Sequence, residues 1–257
     1  MAALAAVTVA LVGIDISEGP KSADSGPPAN TAKLDQSNDA PAAAEAEPSA
    51  SPTPSTSAQA SGAPTASPVT VVQHGSGRFL VAPGQSKRVG TGRLMRYRVE
   101  VEQGSGQDPA TFAKAVDSTL DDPRSWTAQR EWAFQRVSSG SVDFVIKLST
   151  PDTTDVICKT FGLDPKGYTS CRGGPFVVIN LARWLLAVPE FRGDLATYRL
   201  YVINHEVGHR LGHGHMACPG RGRLAPVMQQ QTLGLKGCKP NPWPFVNGTF
   251  ISGPSVA

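Results

Sequence analysis

His205-Glu206-Val207-Gly208-His209-Arg210-Leu211-Gly212-His213-Gly214-His215 packs four of the chain's five histidines into eleven residues. At about 100° per residue, His205 and His209 lie one turn apart on a helix and project from the same face. Two imidazoles on a rigid support can then converge on one metal ion, with Glu206 beside them to act on a water rather than to ligate. Leu200, Ile203, Val207 and Leu211 recur at i, i+3, i+7 and i+11, a stripe that predicts a buried back to this helix. His205 and His209 fall roughly opposite the stripe, facing a cleft.

Gly212 explains how a third ligand arrives. Glycine tolerates the left-handed conformation that ends helices, so the chain can turn there, and Gly214 leaves His215 free to swing back to the metal. His213 is the competing candidate. Its i, i+8 spacing from His205 requires an unbroken helix and spans about 12 Å along the axis, too far for one ion with bonds of about 2 Å. No Asp or Glu occurs between Val207 and Ala257, so no later carboxylate can complete the set. The expected site is therefore His205, His209 and His215 around one Zn2+, the fourth position open to water and Glu206 as catalytic base.

Around this stretch the chain reads as strands and helices. Met95, Tyr97, Val99 and Val101 alternate with Arg96, Arg98, Glu100 and Glu102, a half-buried strand. Asp108-Pro109 opens a helix with a capping residue and a proline at its first position, and Phe112, Val116 and Leu120 follow at helical spacing. Residues 143–148 read as a further strand, and Phe176–Asn180 as another that passes into a helix at Leu181–Val188. Beyond His215 the chain becomes rich in Gly and Pro. The expected fold class is α/β (α+β): a twisted mixed sheet with a backing helix and an active-site helix, and a small irregular C-terminal lobe stapled by a disulfide.

The flanks bound where such a domain works. Residues 1–14 form an uncharged apolar run, shorter than the roughly 20 residues that span a bilayer and fitting the core of a signal peptide or a truncated membrane anchor. A basic flank is missing, so the true start is expected upstream. Residues 15–70 are expected to be a disordered linker; 25 of the 30 residues from Pro41 to Thr70 are Pro, Ala, Ser or Thr, too little apolar surface to bury. Residues 71–257 remain for one domain. It holds 22 Lys and Arg against 14 Asp and Glu, a surplus that suits anionic envelope polymers or acidic substrates. No basic patch interleaved with aromatics points to nucleic acid. Cys158, Cys171, Cys218 and Cys238 all fall in this domain, an even count that behind an export signal argues for disulfides. Three pairings are open; Cys158–Cys171 with Cys218–Cys238 closes the smallest loops and is expected.

The motif resembles that of the metzincin metalloproteases, H-E-x-x-H-x-x-G-x-x-H followed by a methionine turn. Ala225-Pro226-Val227-Met228 looks like that turn, thirteen residues beyond His215, and the resemblance implies that Met228 floors the three imidazoles. Gln230 stands where some metzincins carry a ligating tyrosine, so no fifth ligand is implied. From about residue 72 onward the chain also looks like an uncharacterised actinobacterial exported family, a domain of unknown function with zincin character. The stretches that carry that likeness are Tyr201–His209, Ala225–Thr232 and Asn241-Pro242-Trp243-Pro244. Together these imply a zincin-like fold and an exported zinc metallopeptidase that hydrolyses peptide bonds. Its partners would be protein, peptide or peptidoglycan substrates, and a monomer is expected. The rival readings are a peptidoglycan-directed amide hydrolase and a noncatalytic zinc-binding module of the cell envelope. Tyr201 and Arg210 are weak candidates for stabilising an oxyanion.

Overall fold

The computed structural model describes residues 69–256. The expected signal segment and almost all of the expected linker lie outside the described residues. In chain order the elements are β1 (Phe79–Val81), β2 (Arg93–Glu102), α1 (Pro109–Asp121), β3 (Trp132–Arg136), β4 (Phe144–Ser149) and α2 (Pro151–Lys159). They are followed by β5 (Cys171–Gly173), β6 (Phe176–Asn180), α3 (Leu181–Leu186), α4 (Leu195–Arg210), β7 (Phe245–Val246) and β8 (Thr249–Phe250).

The sheet is mixed, with order β1-β2-β4-β6-β5. β2, β4 and β6 run parallel, and β1 and β5 are antiparallel at the two edges. β3 pairs in parallel with Arg93–Tyr97 of β2, while β1 pairs with the other end of the same strand at Glu100–Glu102. The two therefore share one side of β2.

Period-two alternation decides which helix meets which face. Met95, Tyr97, Val99, Val101, Ile146, Leu148, Val177 and Ile179 join one core with Phe112, Val116 and Leu120 of α1 and with Tyr201, Ile203 and Val207 of α4. Val178, between two of these positions, packs instead with Cys158 and Cys171. So α1 and α4 cover one face and α2 covers the other. Asp108 caps α1 as expected, its carboxylate accepting from the Thr111 amide at 2.7 Å, and Asn180 ends β6 and caps α3 by accepting from the Ala182 amide.

The polar side of β2 departs from the expected half-buried strand. Arg96 is exposed, but Glu100 and Glu102 are buried, because α2 and the chain before β1 cover that end of the sheet. Glu102 accepts from the Thr150 amide at 2.8 Å and from the Thr150 and Thr153 hydroxyls, so a strand carboxylate ties down the start of α2. Glu100 faces Lys147 across the ladder and bonds both it and Arg98. Burial alone would raise the Glu100 carboxyl, but those two cations win and hold it below its ordinary value.

Both expected disulfides form, Cys158–Cys171 and Cys218–Cys238, and there are no free cysteines. The first ties α2 to edge strand β5; the second staples the segment after α4. That segment is less of a separate lobe than its composition suggests. Val227, Met228 and Phe245 belong to the main core, so it wraps α4 and shares its packing. Among the described residues no helix is long and apolar enough to cross a membrane.

Candidate metal centre

α4 starts from Asp194, whose carboxylate accepts from the Thr197 amide and hydroxyl. It ends at Leu211, whose amide bonds back to Val207 and Gly208. Gly212 follows with φ of +100°, the left-handed region that only glycine enters freely, and the chain leaves the helix axis there. The helix has no solvent side over its central two turns. Every residue from Tyr201 to Gly208 is buried, while Leu200 and Leu211, the ends of the expected stripe, are only partly so. The physical reason is the C-terminal segment, which lies on the flank that the sequence pattern left free. Asn204, buried on that flank, donates to Pro242 O at 3.0 Å and accepts from Ser125 Oγ at 2.8 Å.

His205, His209 and His215 come together as the pattern predicts, their ligand atoms all within 4.8 Å of one another. His209 Nε2 lies 3.2 Å from His205 Nε2 and 3.0 Å from His215 Nε2. The other ring nitrogens decide what this closeness means. His205 Nδ1 is 2.8 Å from Val227 O and His209 Nδ1 is 2.9 Å from His213 O. A carbonyl can only accept, so both Nδ1 atoms carry the proton and both Nε2 atoms present lone pairs to the shared centre. Burial, reinforced by the neighbouring histidines, lowers His205 to about 3 and His209 to about 4, and burial also lowers His215, so the rings are neutral at physiological pH. Facing lone pairs at such distances repel unless a cation lies between them. Ligands about 2.1 Å from a tetrahedral ion sit about 3.4 Å apart. The triad fits a small divalent metal with affinity for imidazole.

His213 does not join it. Its ring stacks on Trp126 at 4.4 Å and 20° between planes, and it serves the centre only through the carbonyl that holds His209. Glu206 lines the same cleft of about 550 Å3 with the three ligands and makes no hydrogen bond to any described residue. Burial pushes its carboxyl up to about 8; a dication beside it acts in the opposite sense and favours the charged form.

Met228 is fully buried under α4 at Gly208, and the residue before it supplies the carbonyl that holds His205. A Cβ on Gly208 would lie 2.4 Å from Met228 Sδ and 2.6 Å from Trp126 Cζ2. The methionine could shift, but the indole is pinned by its Nε1 bond to Asn204 O at 2.9 Å. Gly208→Ala is therefore expected to destabilise by about 1–3 kcal/mol through overpacking, against the roughly 1 kcal/mol that alanine gains over glycine in an ordinary helix. Urea midpoints of the two proteins check the sign.

Neither weak oxyanion candidate stands free. The Tyr201 hydroxyl donates to Gln229 O at 3.1 Å and accepts from the Gln231 amide at 2.9 Å, so it braces the C-terminal segment. Arg210 donates to Asp143 O across the sheet end. Tyr201 and Gln230 both line the cleft. Nothing in the local spacing points to Trp126, Asn204 or Arg172: Trp126 and Arg172 lie 79 and 33 residues before His205, and Asn204 braces α4 without motif spacing of its own.

Comparison with protein-family models matches residues 64–239 to the family described as Protein of unknown function (DUF3152). The chain belongs to that family. The matched span contains the three histidines, Glu206, Met228 and all four cysteines, so the whole candidate centre is part of the DUF3152 domain. No curated protein and no solved structure matches the chain.

Proposed function

We propose that this DUF3152 domain is a zincin-like, metzincin-like zinc metallopeptidase that hydrolyses amide bonds. The observation that carries the reading is the convergence of three imidazole nitrogens with an unpartnered glutamate in one cleft. A structural zinc site is closed by four protein ligands and needs no base; this one offers three and has Glu206 beside it. Bound there, zinc supplies Lewis acidity toward water and toward a substrate carbonyl. His205, His209 and His215 would hold it, with Val227 O and His213 O fixing the tautomers of the first two. Glu206 accepts the proton of the attacking water and returns it to the leaving amine. Met228, buried at Gly208, acts as the floor that keeps α4 and the turn after it in register. The two disulfides support an extracellular or cell-envelope location.

The test is hydrolysis of casein, peptidoglycan fragments and a mixed peptide library by purified protein, before and after chelation. Loss of turnover on chelation and its return with one equivalent of zinc is the expected result. Cleavage of peptidoglycan alone would assign the narrower, wall-directed amidase. Zinc bound at one equivalent with none of these cleaved would sink the enzyme and leave a metal-binding envelope module.

A further inference from the structure

Arg172 is the middle residue of β5, paired with Val177 across the ladder. Cross-strand partners share a face, and Val177 belongs to the core that contains α4, so Arg172 projects toward the helix that carries the triad. It lines the same cleft as His205, His209 and His215. Its neighbours cannot exchange places with it: Cys171 is held by its disulfide on the α2 face, and Gly173 is crowded by Phe161. The side chain makes no hydrogen bond or ion pair to any described residue, and its Nε is buried without a partner.

Arg172 is half-buried, and the cost falls on its Nε. A buried donor left unsatisfied forfeits its hydration without return, and a guanidinium offers a rigid fork of donors that matches a carboxylate. The charges nearby do not supply one. Asp164 is at the rim, over half exposed, and faces Lys159 at 3.9 Å. Glu206, the remaining acid of the lining, makes no bond to Arg172.

We infer that Arg172 anchors a carboxylate-binding subsite beside the histidine triad, so that this cleft takes peptides carrying a carboxylate next to the bond presented to the metal. The choice of carboxylate over other anions rests on the amide-hydrolase reading, since the anions that peptides and peptide stems carry are α-carboxylates and acidic side chains. The basic surplus of the domain draws the same substrates in from a distance.

The test measures binding of three dansylated Ala/Gly hexapeptides by fluorescence anisotropy. One ends in a free carboxylate, one is its C-terminal amide, and one is the amide with a single internal Glu. The full chain carries Glu206→Gln so that nothing is cleaved, and each titration is run with and without zinc. One or both carboxylate probes should bind about 10- to 100-fold tighter than the neutral amide. Which of the two does so identifies an α-carboxylate or a side chain as the anchor. Arg172→Gln should erase the difference, and Arg172→Lys should reduce it, since a point charge replaces a fork. Equal binding of all three probes to protein with Arg172 intact overturns the subsite, as does a preference that survives Arg172→Gln. Turnover is read separately, on the unsubstituted protein with casein, peptidoglycan fragments and the peptide library: a binding preference with no turnover there refutes the peptidase and keeps the subsite, whereas turnover there with equal binding of the three probes does the reverse.

Discussion

Glu206→Gln is expected to reduce turnover about 10²- to 10⁴-fold, the range that a general acid-base group contributes, while zinc stoichiometry stays at one per chain. Glutamine has the same shape, so packing around α4 is preserved, but it cannot take a proton from water. The variant should melt no lower than the parent. Glu206 is 5% exposed, with no hydrogen-bond partner among the described residues and its carboxyl pushed up to about 8 by burial. Replacing such a group by a neutral one removes a desolvation cost instead of creating one. Glu206→Ala makes the same point with a cavity added. Turnover equal to wild type in either variant, with zinc bound, would eliminate Glu206 as the base.

The second large effect separates two histidines that lie two residues apart. His215→Ala should lose zinc by more than the 10- to 100-fold typical of second-layer substitutions around a metal, because it removes one of three converging nitrogens. His213→Ala should keep zinc and lose only the stacking on Trp126, about 0.5–1.5 kcal/mol in an aromatic pair. Its carbonyl, which holds His209, survives the substitution. Metal titration by a chromogenic chelator reads the first effect and thermal melts read the second. If His213→Ala lost zinc and His215→Ala kept it, the triad would have to be redrawn.

Much of this centre is readable because its spacing is local. The i, i+4 pair on α4, the left-handed Gly212 and the return of His215 depend only on helix pitch and on the freedom of one glycine. The Asp108 cap, the Asn180 strand-to-helix switch and the two sequence-local disulfides are of the same kind. Two readings are incomplete for one common reason. The helical wheel places the stripe of α4 in the core and its histidines on a cleft, as the structure does, but leaves the flank of Asn204 free, and the half-buried view of β2 leaves Glu100 and Glu102 free, where a distant segment packs on each. Pro242 O meets Asn204 from 38 residues away, and Thr150 meets Glu102 from 48. Periodicity reports which side of an element prefers burial; it says nothing about whether the other side is also covered.

By itself, then, the sequence pointed to the three histidines that converge, the glutamate beside them, the turn that brings His215 back and the sequence-local cysteine pairing, since these lie within about twenty residues and follow from backbone geometry. Tertiary structure alone decided which tautomers His205 and His209 hold, that His213 stacks on Trp126 away from the other three histidines of the motif, and that Tyr201 is a brace. It also set Arg172 on an edge strand facing the triad without a counter-ion. Those properties depend on which carbonyl, ring or charge arrives from another part of the chain, and only the packed sheet and its two helical layers bring them together.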